Sequence, residues 1–333
     1  MAIKIANDLN LFELIASKEH SLSELANITG ADSKLLSRVL RVVTAIGWLK
    51  QTEQERWLAT QVTHLAAATP FKNILHIHYD TRISVYAEFP AWLKKHHYKT
   101  SWASDEDNLF KEINGTGLWS MATKDPEYSE RFDSAMSIHE GLPSEMMPTY
   151  PFVNDLNDIP LDETKITLVD VGGGAGQVLE AIKQKHPHLT GRFVLQDLPK
   201  TIDNLDADRL SALGIEAQPH DFFLEQPVVG ARYYHLRRIL HDWNDEKCRR
   251  ILKALHPAFD PAYSKLIIID HIVPDINPGI MEAQVDLMMM VALDGAERSI
   301  SEWRALLGEA GFKIDQIVHP DVGTLAMIEA SVI

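Results

Sequence analysis

Residues 168–171, Leu168-Val169-Asp170-Val171, run directly into Gly172-Gly173-Gly174-Ala175-Gly176, and a helical pattern opens at Gln177. A strand, a glycine turn and a helix N-terminus let the backbone approach a ligand closely, and in open α/β sheets nucleotides bind at this kind of junction. The dinucleotide fingerprint needs a further glycine where this chain has Gln177, which argues against a bound pyrophosphate. Acidic residues at successive strand ends point to a different ligand. Asp170 ends the first strand, Asp197 ends the next in Gln196-Asp197-Leu198-Pro199, and Asp221 follows the third in His220-Asp221-Phe222-Phe223. A carboxylate at the second position can accept both hydroxyl hydrogens of a ribose, with Leu198 beside it. At the third position Asp221 can take an adenine amino group while Phe222 covers the ring face. Asp197 as a turn cap before Pro199, and Asp221 as an ordinary loop aspartate, remain the alternatives.

The elements that position these residues follow from periodicity. Beyond Pro160, short apolar runs at 166–171, 192–196, 231–236 and 265–270 alternate with helical patterns, which implies a mostly parallel sheet covered on both faces. Residues 311–312 and 324–330 suggest a closing hairpin or antiparallel edge strand. At the other end of the chain, apolar residues recur at helical spacing over 2–16, Ser21 and Glu24 form a capping-box pattern, and 33–46 reads as a third helix. Two short strands at 47–49 and 56–59 complete a winged-helix order. Residues 71–147, rich in Trp, Tyr, His and Met, read as connecting helices. The expected architecture is therefore a doubly wound α/β Rossmann-like catalytic domain over 151–333 and a helical, winged-helix-like domain over 1–150.

The formal net charge of -15 and the pI near 5.4 repel a phosphate backbone, so nucleic acid is not an expected partner. A single cysteine, Cys248, and no secretory pattern at the N-terminus point to a reducing cytoplasm. The longest apolar stretches are strand-sized, against the ~20 residues of a membrane span, and no membrane association is expected. Neither His76 with His78 nor His96-His97 has helical zinc-ligand spacing, so no metal is implied.

Taken together, residues 168–176, 196–199, 220–223, 237–245 and Glu297-Arg298-Ser299 before Trp303 resemble the plant and fungal class I O-methyltransferases of the caffeate and flavonoid type, over nearly the whole chain. The resemblance implies S-adenosylmethionine as cofactor. Gly172, Gly173 and Gly174 would face its methionine part, Asp197 the ribose, and Asp221 with Phe222 the adenine. Arg237 stands where plant members carry a lysine near the cofactor. The family's general base falls on His241, its two supporting acids on Asp270 and Glu297, and a substrate-wall methionine on Met289. Asp270 replaces the usual Glu and shortens one arm of the acid pair. A homodimer is implied, although the chain starts tens of residues later than family members, so part of the usual dimerisation region is expected to be missing.

Histidine suits methyl transfer to oxygen, because an ordinary value of about 6.5 lets it accept a hydroxyl proton near neutrality while a carboxylate fixes its tautomer. The alternative for His241 is a cap on the helix that follows. Trp119, Phe132, Met136, His139 and Met289 can line an apolar wall for a small aromatic or polyketide-like substrate, or can simply be core. The competing function is a family member that binds the cofactor without methylating and catalyses a pericyclic or other rearrangement.

Overall fold

Ser21 and Glu24 cap each other's backbone at the start of helix Leu22–Thr29, and Gly30, with φ of 70°, ends it in the left-handed region. The computed structural model describes residues 1–99, 108–136, 164–186, 189–319 and 325–333. The chain forms two compact units, Met1–Gly141 and Leu142–Ile333.

In the first unit the single helix expected over 2–16 is two, Ala2–Asp8 and Leu11–Ser17. Asn10 separates them at φ 52°, ψ 31°, a conformation that Asn tolerates better than other residues with a side chain because its short amide bonds locally. Helix Ser33–Ala45 begins at Asp32, whose carboxylate accepts from the backbone of Lys34 and Leu35. Leu36, Val39, Leu40 and Val43 turn inward onto Phe12, Ile15, Leu25 and Trp57. Strands β1 (His20–Ser21), β2 (Leu49–Gln51) and β3 (Arg56–Ala59) form an antiparallel sheet in the order β1-β3-β2. Helices Thr69–Ile77 and Ile83–Lys95 follow, joined by a π-helical turn at His78–Arg82. Against this run packs helix Pro126–Met136, with Ile77, Tyr128 and Ala135 at the centre of the contact.

In the second unit, β4 (Ile166–Val171), β5 (Arg192–Asp197), β6 (Ile215–Pro219), β7 (Tyr233–Arg237) and β8 (Lys265–Val273) are parallel. Two antiparallel strands, β10 (Phe312–Val318) and β11 (Leu325–Val332), extend the sheet, giving the order β10-β11-β8-β7-β4-β5-β6. A short strand β9 (Arg298–Ser299) pairs with the end of β8. The expected hairpin is present, but β10 is the edge and β11 lies inside. Alternation along each strand feeds two cores. Val169, Val171, Val194, Tyr234, Leu236 and Ile268 face helices Asp245–Leu255 and Ile300–Glu309, whereas Leu168, Phe193, Leu195, Tyr233 and Ile267 face helix Gln177–Lys185. Each such buried side chain is worth about 1.5–3 kcal/mol relative to exposure. The strand order reverses between β4 and β7, so the loops after these strands diverge and leave a crevice at their carboxyl ends.

Candidate active site

The glycine loop leaves β4 with Gly172, Gly174 and Gly176 at φ of 72°, 59° and 82°. Gly172 and Gly173 donate to the carbonyl of Gln196 at 2.8 and 3.0 Å, which fastens the loop to the end of β5. The Gln196 side chain is itself locked by a reciprocal amide pair with Gln226, 2.8 Å each way. A Cβ on Gly173 would lie 2.5 Å from Asp170 Oδ2, and one on Gly172 would lie 2.7 Å from Ile239 and 3.5 Å from Phe222. At Gly174 nothing lies within 4 Å of that position. The backbone is tight below and open above, the cradle a ligand needs.

Gly174 donates to Asp197 Oδ2 at 2.9 Å and Leu198 to Asp197 Oδ1 at 2.8 Å, so the carboxylate is held at the loop. Asp221 Oδ1 accepts from the backbone of Phe223 at 3.0 Å. Trp243 meets Phe222 and Phe223 edge to face at 6.1 and 5.1 Å between centroids, and the two phenyl rings lie tilted against each other at 5.1 Å. An open backbone at Gly174, a carboxylate held beside it and an aromatic cluster fit an adenosine-bearing cofactor. Asp170 sits lower than the other acids, 1% exposed, with Oδ1 2.7 Å from His235 Nδ1 and Oδ2 buried beneath Gly173. Arg237 stands at the end of β7, followed by Arg238 at φ 54°.

His241 lies on a 3-10 turn, Leu240–Asp242, just past β7, and is 2% exposed. It does not cap the next helix; Asn244 does, accepting from the backbone of Lys247. His241 Nδ1 meets Glu297 Oε1 at 2.8 Å, and its Nε2 lies 3.4 Å from Asp242 Oδ1. Asp270 is 1% exposed, and neither of its oxygens has a hydrogen-bond partner. Burial pulls the imidazole down, but the charges of Asp242, Glu297 and Asp270 outweigh it and hold His241 at about 9. Burial pushes Asp270 up to about 7, partly offset by His241. Burial also opposes the charge on Glu297, yet the imidazole's charge and hydrogen bond bring its carboxyl below the usual range.

Sequence reading gave no part in this turn to Arg298, Gly295, Asp242 or Cys248. Arg298, 2% exposed, donates to the carbonyls of Leu240 and Trp243 at 3.0 and 2.8 Å and pairs with Asp245 at 2.8 Å. Gly295 lies so close that a Cβ there would sit 2.1 Å from the carbonyl oxygen of His241. Asp242 was visible only as the neighbour of His241 in Leu240-His241-Asp242-Trp243. The thiol of Cys248 donates to the carbonyls of Leu240 and Trp243 at 3.1 and 3.3 Å, and burial pushes it up to about 12.

Met289 is 5% exposed on helix Ile280–Leu293, and its carbonyl accepts from Gly295. Trp119, Phe132 and Met136 belong to the first unit, where Trp119 meets Phe132 edge-on at 5.9 Å and both Phe132 and Met136 pack against Ile77, Tyr128 and Ala135. His139 lies outside the described residues. Among the described residues no group of His, Cys, Asp or Glu is placed to hold a metal ion.

Comparison with known proteins shows the family. The model of the O-methyltransferase domain matches residues 96–313, and that of the O-methyltransferase dimerisation domain matches residues 1–69. The chain is 32% identical over 317 residues to demethylsterigmatocystin 6-O-methyltransferase of Aspergillus flavus, covering 94% of this chain and 80% of that protein. Its structure is similar to that of a protein described as a pericyclic reaction enzyme, with a TM-score of 0.88 at 26% identity, covering 100% of this chain and 86% of the other. It is similar also to OxaC in complex with SAH and oxaline, with a TM-score of 0.84 at 26% identity, covering 100% and 84%. The chain belongs to the S-adenosylmethionine-dependent O-methyltransferases.

Proposed function

We propose that this enzyme methylates a hydroxyl of a small aromatic or polyketide-like natural product, with His241 as the base. The observation that carries the reading is the buried 2.8 Å contact between His241 Nδ1 and Glu297. A carboxylate only accepts, so Nδ1 carries the hydrogen, and in the neutral form of the imidazole Nε2 is the acceptor for a substrate proton. Glu297 and Asp242 then stabilise the imidazolium formed, and Asp270 adds negative charge in the same buried place. Gly172, Gly173, Gly174, Asp197 with Leu198, Asp221, Phe222 and Arg237 would hold the cofactor, which when bound supplies a methyl carbon on a sulfonium. Asp170 would act from below the loop. Met289 would touch the substrate, and Met136, Phe132, Trp119 and His139 are proposed as further substrate contacts. The amino-terminal unit would pair two chains as a homodimer, consistent with its match to a dimerisation domain, and its helix and strand order supports a winged-helix fold. A reducing cytosol suits a chain whose one thiol is buried.

One observation favours the second reading, in which the cofactor-loaded enzyme rearranges a substrate without methylating it. An imidazole held at about 9 is protonated near neutrality and fits a hydrogen-bond donor or acid. Mass spectrometry separates the two. Among a panel of small aromatic and polyketide-like phenols incubated with methyl-labelled cofactor, a substrate should gain one labelled methyl group. His241→Ala should keep its affinity for S-adenosylhomocysteine while turnover falls about 10²- to 10⁴-fold, the usual range for general-base catalysis. An isomer of unchanged mass, formed only with cofactor present, would replace the first reading with the second. Wild-type turnover in His241→Ala would remove the base from the mechanism.

A further inference from the structure

We infer that His235 is a positioning residue for the cofactor: acting through Asp170, it sets the seat of the glycine loop. Strands β4 and β7 are parallel neighbours, and their register places Asp170 opposite His235. Both side chains lie on a sheet face that is otherwise apolar, among Leu168, Leu195, Tyr233 and Ile267. His235 is 0% and Asp170 1% exposed. Withdrawing a carboxylate and an imidazole this far from water is costly unless they pair, and they do, at 2.7 Å. Two apolar residues at this cross-strand position would fill the core at no such cost. What the polar pair adds lies one step further on. Asp170 Oδ2 is buried without a hydrogen-bond partner and lies directly beneath Gly173, where a Cβ would come within 2.5 Å.

The loop is thereby held from two sides. Gln196 ties Gly172 and Gly173 to β5, and the Asp170 carboxylate supports the loop from below. His235 donates from Nδ1 to Oδ1 and so fixes the rotation of that carboxylate. Without the imidazole, a buried unpaired carboxylate must rotate, take up water or protonate, and each response moves the surface on which Gly173 rests.

The inference rests on the reading that the glycine loop holds the cofactor, and the test separates the two. Calorimetry on the full chain measures S-adenosylhomocysteine affinity for His235→Leu, His235→Asn and Asp197→Ala, with thermal melting of each ligand-free protein alongside. His235→Leu should weaken binding about tenfold or more, the effect of losing a charge-assisted buried hydrogen bond. His235→Asn, whose amide nitrogen takes the place of Nδ1, should restore affinity to within about threefold of wild type; this rescue is what a purely structural role would not produce. If His235→Leu does not fold, His235→Gln replaces it, being similar in size with its amide one bond too far along. Wild-type affinity in the Leu or Gln variant, or affinity in His235→Asn as weak as theirs, overturns the role of His235 while the loss in Asp197→Ala leaves the loop reading standing. Wild-type affinity in Asp197→Ala as well overturns the loop reading, and the His235 inference with it.

Discussion

The imidazole of His241 meets Glu297 at Nδ1 and Asp242 near Nε2, and the charge of the buried Asp270 reaches it too. The sign of the pH dependence follows from these neighbours. His241 at about 9 lies above its ordinary 6.5, so its charged form contributes stability that is complete below about 6.5 and lost as pH rises through about 9. Asp270 at about 7 lies above its ordinary 3.8, so the folded chain favours its neutral form, and stability is lost as pH rises through about 7. Both effects run in the same direction, and melting temperature should fall from pH 6 to pH 9.5. Asp270→Asn removes the second effect: its melting temperature, measured by scanning calorimetry, should exceed that of wild type at pH 8, with the gap narrowing at pH 5. A gap of equal size at both pH values would show that Asp270 does not titrate in this range.

Between strands, the 3-10 turn that carries His241 depends on a segment more than fifty residues away in sequence, where Gly295, Ala296 and Arg298 close over its carbonyls. Gly295→Ala places a Cβ against backbone, which cannot rotate aside as a side chain would. Overpacking of this kind costs roughly 1–3 kcal/mol, and a shift of about 1 Å in a reacting group can cost on the order of 10²-fold in rate. Steady-state kinetics should therefore show kcat falling at least about tenfold, while S-adenosylhomocysteine affinity stays within about twofold; unchanged kcat would mean the turn accommodates the methyl group. This clamp was poorly legible in the sequence, where Gly295 reads as one more glycine after a helix. The glycine loop and the acids at the strand ends were legible because strand, turn and helix each carry a local pattern. The Asp170 and His235 pair was not, since its partners become neighbours only through the strand order β7-β4-β5, which no local pattern encodes. Asn10 escaped for a similar reason: a left-handed asparagine looks like any other asparagine within an amphipathic run.

For the molecule as a whole, the match to a dimerisation domain over 1–69 meets a plain physical feature of the first unit. Helix Ser33–Ala45 buries one apolar stripe and leaves Leu35 and Val42 45% and 48% exposed on another, with Ile28 55% and Ile46 48% exposed nearby in sequence. In the proposed homodimer these exposed apolar side chains would meet a second copy. Light scattering after gel filtration should give twice the chain mass of 37.5 kDa, and Val42→Glu with Leu35→Glu should lower it toward that of a single chain. A doubly substituted protein that still runs at twice the chain mass would move the interface elsewhere. Cys248 carries a different consequence. Its thiol is the only one in the chain and is bonded to both ends of the turn that presents His241. A thiol-selective reagent therefore has a single target and, with Cys248 fully buried, reaches it only when that turn opens, so the rate of labelling is a clock for the opening. Any compound that stabilises the closed turn slows the clock in proportion to its occupancy, which makes ligand discovery possible for this enzyme before its natural substrate is known.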